Sequence, residues 1–145
     1  MQSATDRQKQ TIHGLLDMPR WEAVALLEAG YFFMQLGKKR EAREIFTGVA
    51  ALFPHSDVPC VALGNFYLSE GKPDSAIQEL LRALQRVPQS ATAQAHLGEA
   101  LLFAKRIQEG VEALKKAIEL DPKGFAAKLA HELLRANDLH VFDGP

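Results

Sequence analysis

The sequence predicts an all-α chain, a solenoid of three helix-turn-helix units, and three observations predict it. Gly30, Gly64 and Gly98 fall 34 residues apart, and Pro54, Pro88 and Pro122 keep the same step. Ala42, Ala76 and Gly110 sit between them in the same register. Between these landmarks the apolar residues recur at three- and four-residue spacing, the mark of amphipathic helices. A period of this length is one supersecondary unit, too small to bury its apolar side alone, so successive units must stack.

Residues 1–22 form an N-terminal segment, in which Thr5–Asp17 is expected as a short leading helix with Ile12, Leu15 and Leu16 on its apolar side. Pro19 suits the first turn of the next helix, where no intrahelical donor is lost. The first unit spans 23–56. Its first helix carries Val24, Leu26, Leu27, Gly30, Phe33 and Met34 and ends near Gly37; its second carries Ala42, Ile45, Phe46 and Val49 and closes at Pro54. The second unit spans 57–90, with Ser56 or Asp57 as cap and Pro59 in the first turn, and Ser90 caps the third unit, 91–124.

Two antiparallel helices joined by a short turn must approach closely, and Gly64 facing Ala76 permits that approach. A large side chain at either site costs about 1–3 kcal/mol in overpacking. The proline after each second helix removes a donor and turns the chain back for the next unit. The third unit departs from the pattern twice. Lys105 stands where Gly37 and Gly71 end the first helix, and Gly110 replaces the alanine, so a different turn and a looser helix pair are expected there.

Residues 125–137 are predicted as a capping helix, with Phe125, Leu129 and Leu133 on one stripe and Lys128, Glu132 and Arg135 opposite. Such a helix covers the flank of the last unit. Residues 138–145 are expected as a flexible tail, although they include Leu139, Val141 and Phe142.

Composition narrows the function classes. At 145 residues, 47% apolar and 24% charged, the chain is an ordinary globular domain. A formal net charge of −1 supplies no basic field for nucleic acid or acidic lipid. The single cysteine, Cys60, cannot form an internal disulfide, which fits a reducing compartment. The most apolar run, Ala23–Met34, contains Glu28 and is far shorter than the ~20 residues that span a bilayer. A cytoplasmic protein with no membrane insertion is expected.

Catalytic chemistry is not expected either. His13, His55, His96, His131 and His140 lack paired metal spacing, and no Gly-rich phosphate loop is present. Cys60 lies on the inward stripe of its helix, the place of a small buried hydrophobe. No acid is evident to orient His96. The reading is a non-enzyme without cofactor or metal.

Within the second unit, Cys60-x-x-Leu63-Gly64-x-x-Tyr67, Ala76-x-x-x-Leu80, Ala83 and Pro88 resemble the tetratricopeptide repeat. The resemblance extends over about Ala23–Gly124 and implies a right-handed solenoid whose first helices line a concave groove. It places Val24, Leu27, Tyr31 and Met34 of the first unit in that groove, then Val58, Val61, Asn65 and Leu68 of the second. Thr92, Ala95, Glu99, Leu102 and Phe103 follow in the third. This strip is mostly apolar and needs a cover. One cover is a client protein's amphipathic helix or extended apolar segment, anchored on Tyr31, Leu68 and Phe103. The others are the chain's own leading helix or tail, or a second copy in a homodimer.

The resemblance also argues against one branch of the family. Members that hold acidic C-termini use lysine, arginine and asparagine as a carboxylate clamp. The equivalent positions here are Leu27, Tyr31, Ala62, Thr92 and His96, and none is a lysine or arginine. Three repeats between a leading and a trailing helix, opening with Leu26-Leu27-Glu28-Ala29-Gly30-Tyr31-Phe32-Phe33-Met34, are similar to the chaperones of type III secretion. That likeness implies masking a translocator or needle subunit until export. The alternative is a standing adaptor between folded partners.

Overall fold

The computed structural model describes residues 11–12 and 18–144. Seven helices fill the chain from residue 20 onward. They are α1 (Arg20–Gln35), α2 (Lys39–Leu52), α3 (Val58–Ser69), α4 (Pro73–Arg86), α5 (Ala91–Phe103), α6 (Ile107–Leu120) and α7 (Phe125–Asp138). They pair as α1/α2, α3/α4 and α5/α6, and each unit packs on the next, with α7 against both α5 and α6.

The N-terminal reading is corrected in part. Thr11–Ile12 (β1) and Met18–Pro19 (β2) form a two-stranded antiparallel pair, with Thr11 opposite Pro19 and Ile12 opposite Met18. Two residues of the expected leading helix are therefore extended; the rest of it lies outside the described residues. Pro19 ends β2 directly before α1, a strand-edge position that suits a residue without an N–H.

Each helix pair is keyed by the same contact. A Cβ placed on Gly64 would lie 2.7 Å from Leu80 Cγ, one on Gly30 2.5 Å from Phe46 Cε1, and one on Gly98 2.5 Å from Leu114 Cδ2. Phe46, Leu80 and Leu114 are wholly buried. The glycine thus makes room for a large side chain sixteen residues later, rather than only for the alanine twelve residues later. In the third unit the helices come closer, not further apart. A Cβ on Gly110 would lie 3.1 Å from the Gly98 carbonyl oxygen, and one on Gly98 would lie 3.0 Å from that of Gly110. Without a methyl group at residue 110, the two backbones approach each other directly.

The expected change of turn at Lys105 does not occur. Gly37 and Gly71 have φ of 73° and 69°, and Lys105 adopts 65°. All three turns close with the same two bonds: Gly37 N–H to Met34 O and Lys38 N–H to Phe33 O, Gly71 to Leu68 and Lys72 to Tyr67, Lys105 to Leu102 and Arg106 to Leu101. This double bond satisfies the last helix carbonyls. It holds Lys105 in a left-handed conformation that disfavours a side chain by about 1–2 kcal/mol.

Capping follows local chemistry. The Ser90 hydroxyl accepts from Ala93 N–H at 3.1 Å. Ahead of α3, Ser56 accepts from Val58 N–H at 3.3 Å, whereas the Asp57 side chain makes no cap bond. A longer-range cap joins the first two units. Arg86 Nη1 donates to the carbonyls of Ala50 (3.1 Å), Phe53 (3.2 Å) and Ser56 (3.1 Å), placing a cation at the C-terminal end of α2.

The tail is docked rather than flexible. After α7 the chain closes another left-handed turn at His140, φ 58°, with His140 N–H on Asn137 O and Val141 N–H on Ala136 O. Phe142 then folds into the core that α5, α6 and α7 share. Its ring meets Phe103 edge-on at 5.4 Å, and Lys105 Nζ donates to its carbonyl. Burial of the ring, the edge-on contact with Phe103 and the turn hydrogen bonds act together against the entropy of ordering this segment.

Two glycines make a paired prediction. Gly64→Leu should cost about 1–3 kcal/mol by driving a side chain into Leu80. Gly48, inside α2 with open space around its Cα, carries no such constraint. Gly48→Ala should raise stability by about 0.5–1 kcal/mol. Thermal unfolding followed by circular dichroism will show opposite shifts in Tm.

Candidate functional site

The first helices of the three units, α1, α3 and α5, carry equivalent residues at a 34-residue step, so side chains from successive units meet in rows. Tyr31 and Asn65 form one such pair, with Asn65 Nδ2 donating to Tyr31 Oη at 3.5 Å. Here a cavity of about 290 Å³ opens between the three helices, lined by Tyr31, Asp57, Val58, Val61, Asn65, Thr92 and His96. A second cavity of about 210 Å³ lies towards the start of the chain, between Ala23, Val24 and Leu27 of α1, Val49 and Phe53 of the α2 end, and Ser56, Val58 and Pro59. Val58 borders both, so the two cavities are neighbours along the same side of the solenoid.

The structure sorts the expected groove residues into three groups. Val24, Val58, Thr92 and Phe103 are exposed. Leu27, Tyr31, Met34, Asn65, Leu68 and Glu99 are half-buried. Val61, Ala95 and Leu102 are buried, and for these the expectation of open groove surface is corrected. Val61 belongs to the core joining α3 to α5 and forms the floor of the central cavity. Ala95 and Leu102 lie under α7, packed with Ala126, Ala130 and Phe142. Stacking one unit on the next consumes an inward-facing apolar row, which leaves less apolar surface open than the repeat pattern implies.

The expected anchors do not share one cavity. Tyr31 lines the central one. Leu68 packs against the main core, and the exposed Phe103 meets the buried Phe142 ring edge-on.

Two polar features were not recognised from sequence. Asp57, read there as a cap, presents a carboxylate with no cap bond to the central cavity. His96 does have an orienting acid: its Nδ1 lies 3.0 Å from Glu99 Oε2, one helical turn on. The i,i+3 spacing was the available signal. Among the described residues lining the cavity, the hydroxyl groups are those of Thr92 and Tyr31.

Of the five clamp-equivalent positions, Tyr31, Thr92 and His96 line the central cavity, Leu27 lines the second, and Ala62 is wholly buried. Among the described residues no lysine or arginine lines either cavity. Cys60 is wholly buried, and desolvation pushes its thiol pKa up against the smaller opposing pull of the Arg86 charge. Among the described residues no group of three or more His, Cys, Asp or Glu is placed to hold a metal, and no helix is long and apolar enough to cross a membrane.

A separate apolar surface runs along the outer side of α1. Trp21, Phe32 and Leu36 are 58%, 58% and 55% exposed there, and Trp21, Glu22, Ala25 and Leu26 line a shallow cavity.

Two neighbouring valines test the placement of the groove wall. Val61→Asp buries a carboxylate and should cost about 3 kcal/mol or more. Val58→Asp, on the exposed rim in the first turn of α3, should change stability by about 0.5 kcal/mol or less. Urea unfolding of the two variants checks this, and equal midpoints would contradict the assignment.

With this geometry in hand, the chain can be set beside known proteins. Profiles of the tetratricopeptide repeat family match residues 24–56 and 61–125. The small glutamine-rich tetratricopeptide repeat-containing protein 2 of Mycosarcoma maydis is 35% identical over 92 residues, which cover 59% of this chain and 26% of that protein. The chain therefore spans about a quarter of the length of that relative. The first tetratricopeptide domain of Spaghetti (RPAP3), bound to the HSP90 peptide SRMEEVD, superposes with a TM-score of 0.70 at 21% identity, covering 83% of this chain and 94% of that one. The Sgt2 domain from Aspergillus fumigatus gives 0.70 at 20% identity, covering 85% and 83%. The Yersinia enterocolitica type III secretion translocator chaperone SycD, in its alternative dimer, gives 0.71 at 20% identity, covering 81% and 92%. The landmark residues, the matched profiles and the superposed folds agree: the chain belongs to the tetratricopeptide repeat family.

Proposed function

We propose that the protein is a non-enzymatic protein-binding module whose groove holds a helical or extended apolar segment of a client. In this reading it works as a cytoplasmic chaperone of the type III secretion kind, keeping an export substrate or needle subunit soluble. The observation that carries it is the pair of neighbouring cavities, about 290 and 210 Å³, with Val24, Val58 and Thr92 exposed at their edges. Three or four such side chains, at about 1.5–3 kcal/mol each on burial, are enough for micromolar affinity after ordering costs. The likeness to SycD supports the same class of client. The peptide complex of the RPAP3 domain supports groove binding in general, but the groove here has no cation for an acidic terminus.

An adaptor between folded partners is the second reading, and the outer side of α1 favours it or a homodimer. A helix apolar on both sides wants cover on both. Ala25 lies between Trp21 and Phe32 on the outer stripe, which the exposed Glu28 interrupts. An antiparallel second copy would set Phe32 against Ala25 and Trp21 against Leu36, the same patch on both copies, as a two-fold interface requires.

The client is tested by mass spectrometry of whatever co-purifies with the tagged protein from its host, beside Val58→Asp. A small helical subunit lost from the variant is the expected result. Large folded proteins recovered equally with both versions would support the adaptor. Sedimentation over a concentration series tests the second surface: Phe32→Asp should abolish self-association and leave client recovery intact.

A further inference from the structure

The solved domain of similar fold that is bound to SRMEEVD takes a peptide with three acidic side chains, so the charge of the groove here bears on its choice of client. Among the described residues the central cavity offers apolar contact from Val58 and Val61, hydrogen-bonding groups from Tyr31 and Asn65, and the carboxylate-bearing Asp57. That carboxylate is not spent on its own helix. The cap bond at the start of α3 comes from Ser56, and among the described residues no ion pair engages Asp57. Across the cavity, the His96 imidazole already has a carboxylate partner in Glu99 at 3.0 Å, so it is not a free cation for an acidic client.

We propose that this groove selects client segments bearing lysine or arginine beside their apolar residues and rejects acidic ones. The occupant is a client helix whose apolar side chains sit on Val58 and Val61 and whose cation pairs with Asp57. The proposal rests on the groove being the client site and names the chemistry of the client. The preference must arise locally, because a net charge of −1 gives no long-range field of use. At the half-buried Asp57 a paired cation keeps its value, whereas an acidic side chain there meets an uncompensated like charge.

The test uses three fluorescent 18-residue amphipathic peptides with one Leu/Ala face, whose polar face is lysine, glutamine or glutamate, and the intact chain. In fluorescence anisotropy at low salt, the lysine peptide should bind at least ten-fold more tightly than the glutamate peptide. High salt should narrow that ratio. Asp57→Asn should bring the lysine peptide close to the glutamine peptide, and Asp57→Lys should reverse the order. The Asp57 side chain makes no structural bond, and circular dichroism verifies that both variants fold. Equal affinity of the three peptides, still lost in Val58→Asp, overturns the charge preference and leaves the groove as the client site. Binding of the glutamine peptide that is absent, or unchanged by Val58→Asp, overturns both.

Discussion

Everything in this molecule depends on a glycine meeting a large side chain across each helix pair. Gly30 admits Phe46, Gly64 admits Leu80 and Gly98 admits Leu114, and each of those large side chains is wholly buried. The contact sets the separation of the two helices, and with it the thickness of every unit. Because it recurs at one step, the units have matching faces and can stack. Interiors are close-packed, so a repeat that varied this distance would leave voids between neighbours.

Stacking then decides what remains for binding. Each first helix spends one apolar row on the next first helix, which is why Val61 is a floor and Ala95 and Leu102 are interior. At the C-terminal end, α7 and Phe142 take the place of a further unit and close the flank. Towards the N-terminus Val24 and Val58 stay open, and the groove changes from apolar there to polar at Thr92, His96 and Glu99. A groove graded in this way suits the amphipathic client segment proposed above.

Parts of the site were legible because they follow from the period alone. Tyr31 and Asn65, one repeat apart, do meet, and Val24, Val58 and Thr92 do share an exposed row. Other parts were hidden. Asp57 reads as a helix cap in sequence, and only the competing bond from Ser56 frees its carboxylate for the cavity. Phe142 looks like a residue of a polar, Gly-containing tail until its partner Phe103, 39 positions earlier, is brought beside it.

The sequence by itself determined the helix pairs, their boundaries and their order, because these depend on local spacing, caps such as Ser90, and landmarks repeated at a constant step. Tertiary structure decided the rest. It drew Lys105 into a left-handed turn, since the end of α5 must close as its two predecessors do even without a glycine. It sent Arg86 across a unit boundary to three carbonyls, a contact with no periodic counterpart, since Leu52 and Leu120 hold the equivalent positions. It also chose which apolar row is buried and which is offered. The physical reason is the same throughout: periodicity reports what a residue does within its own unit, whereas burial is settled by the neighbour that packs on top.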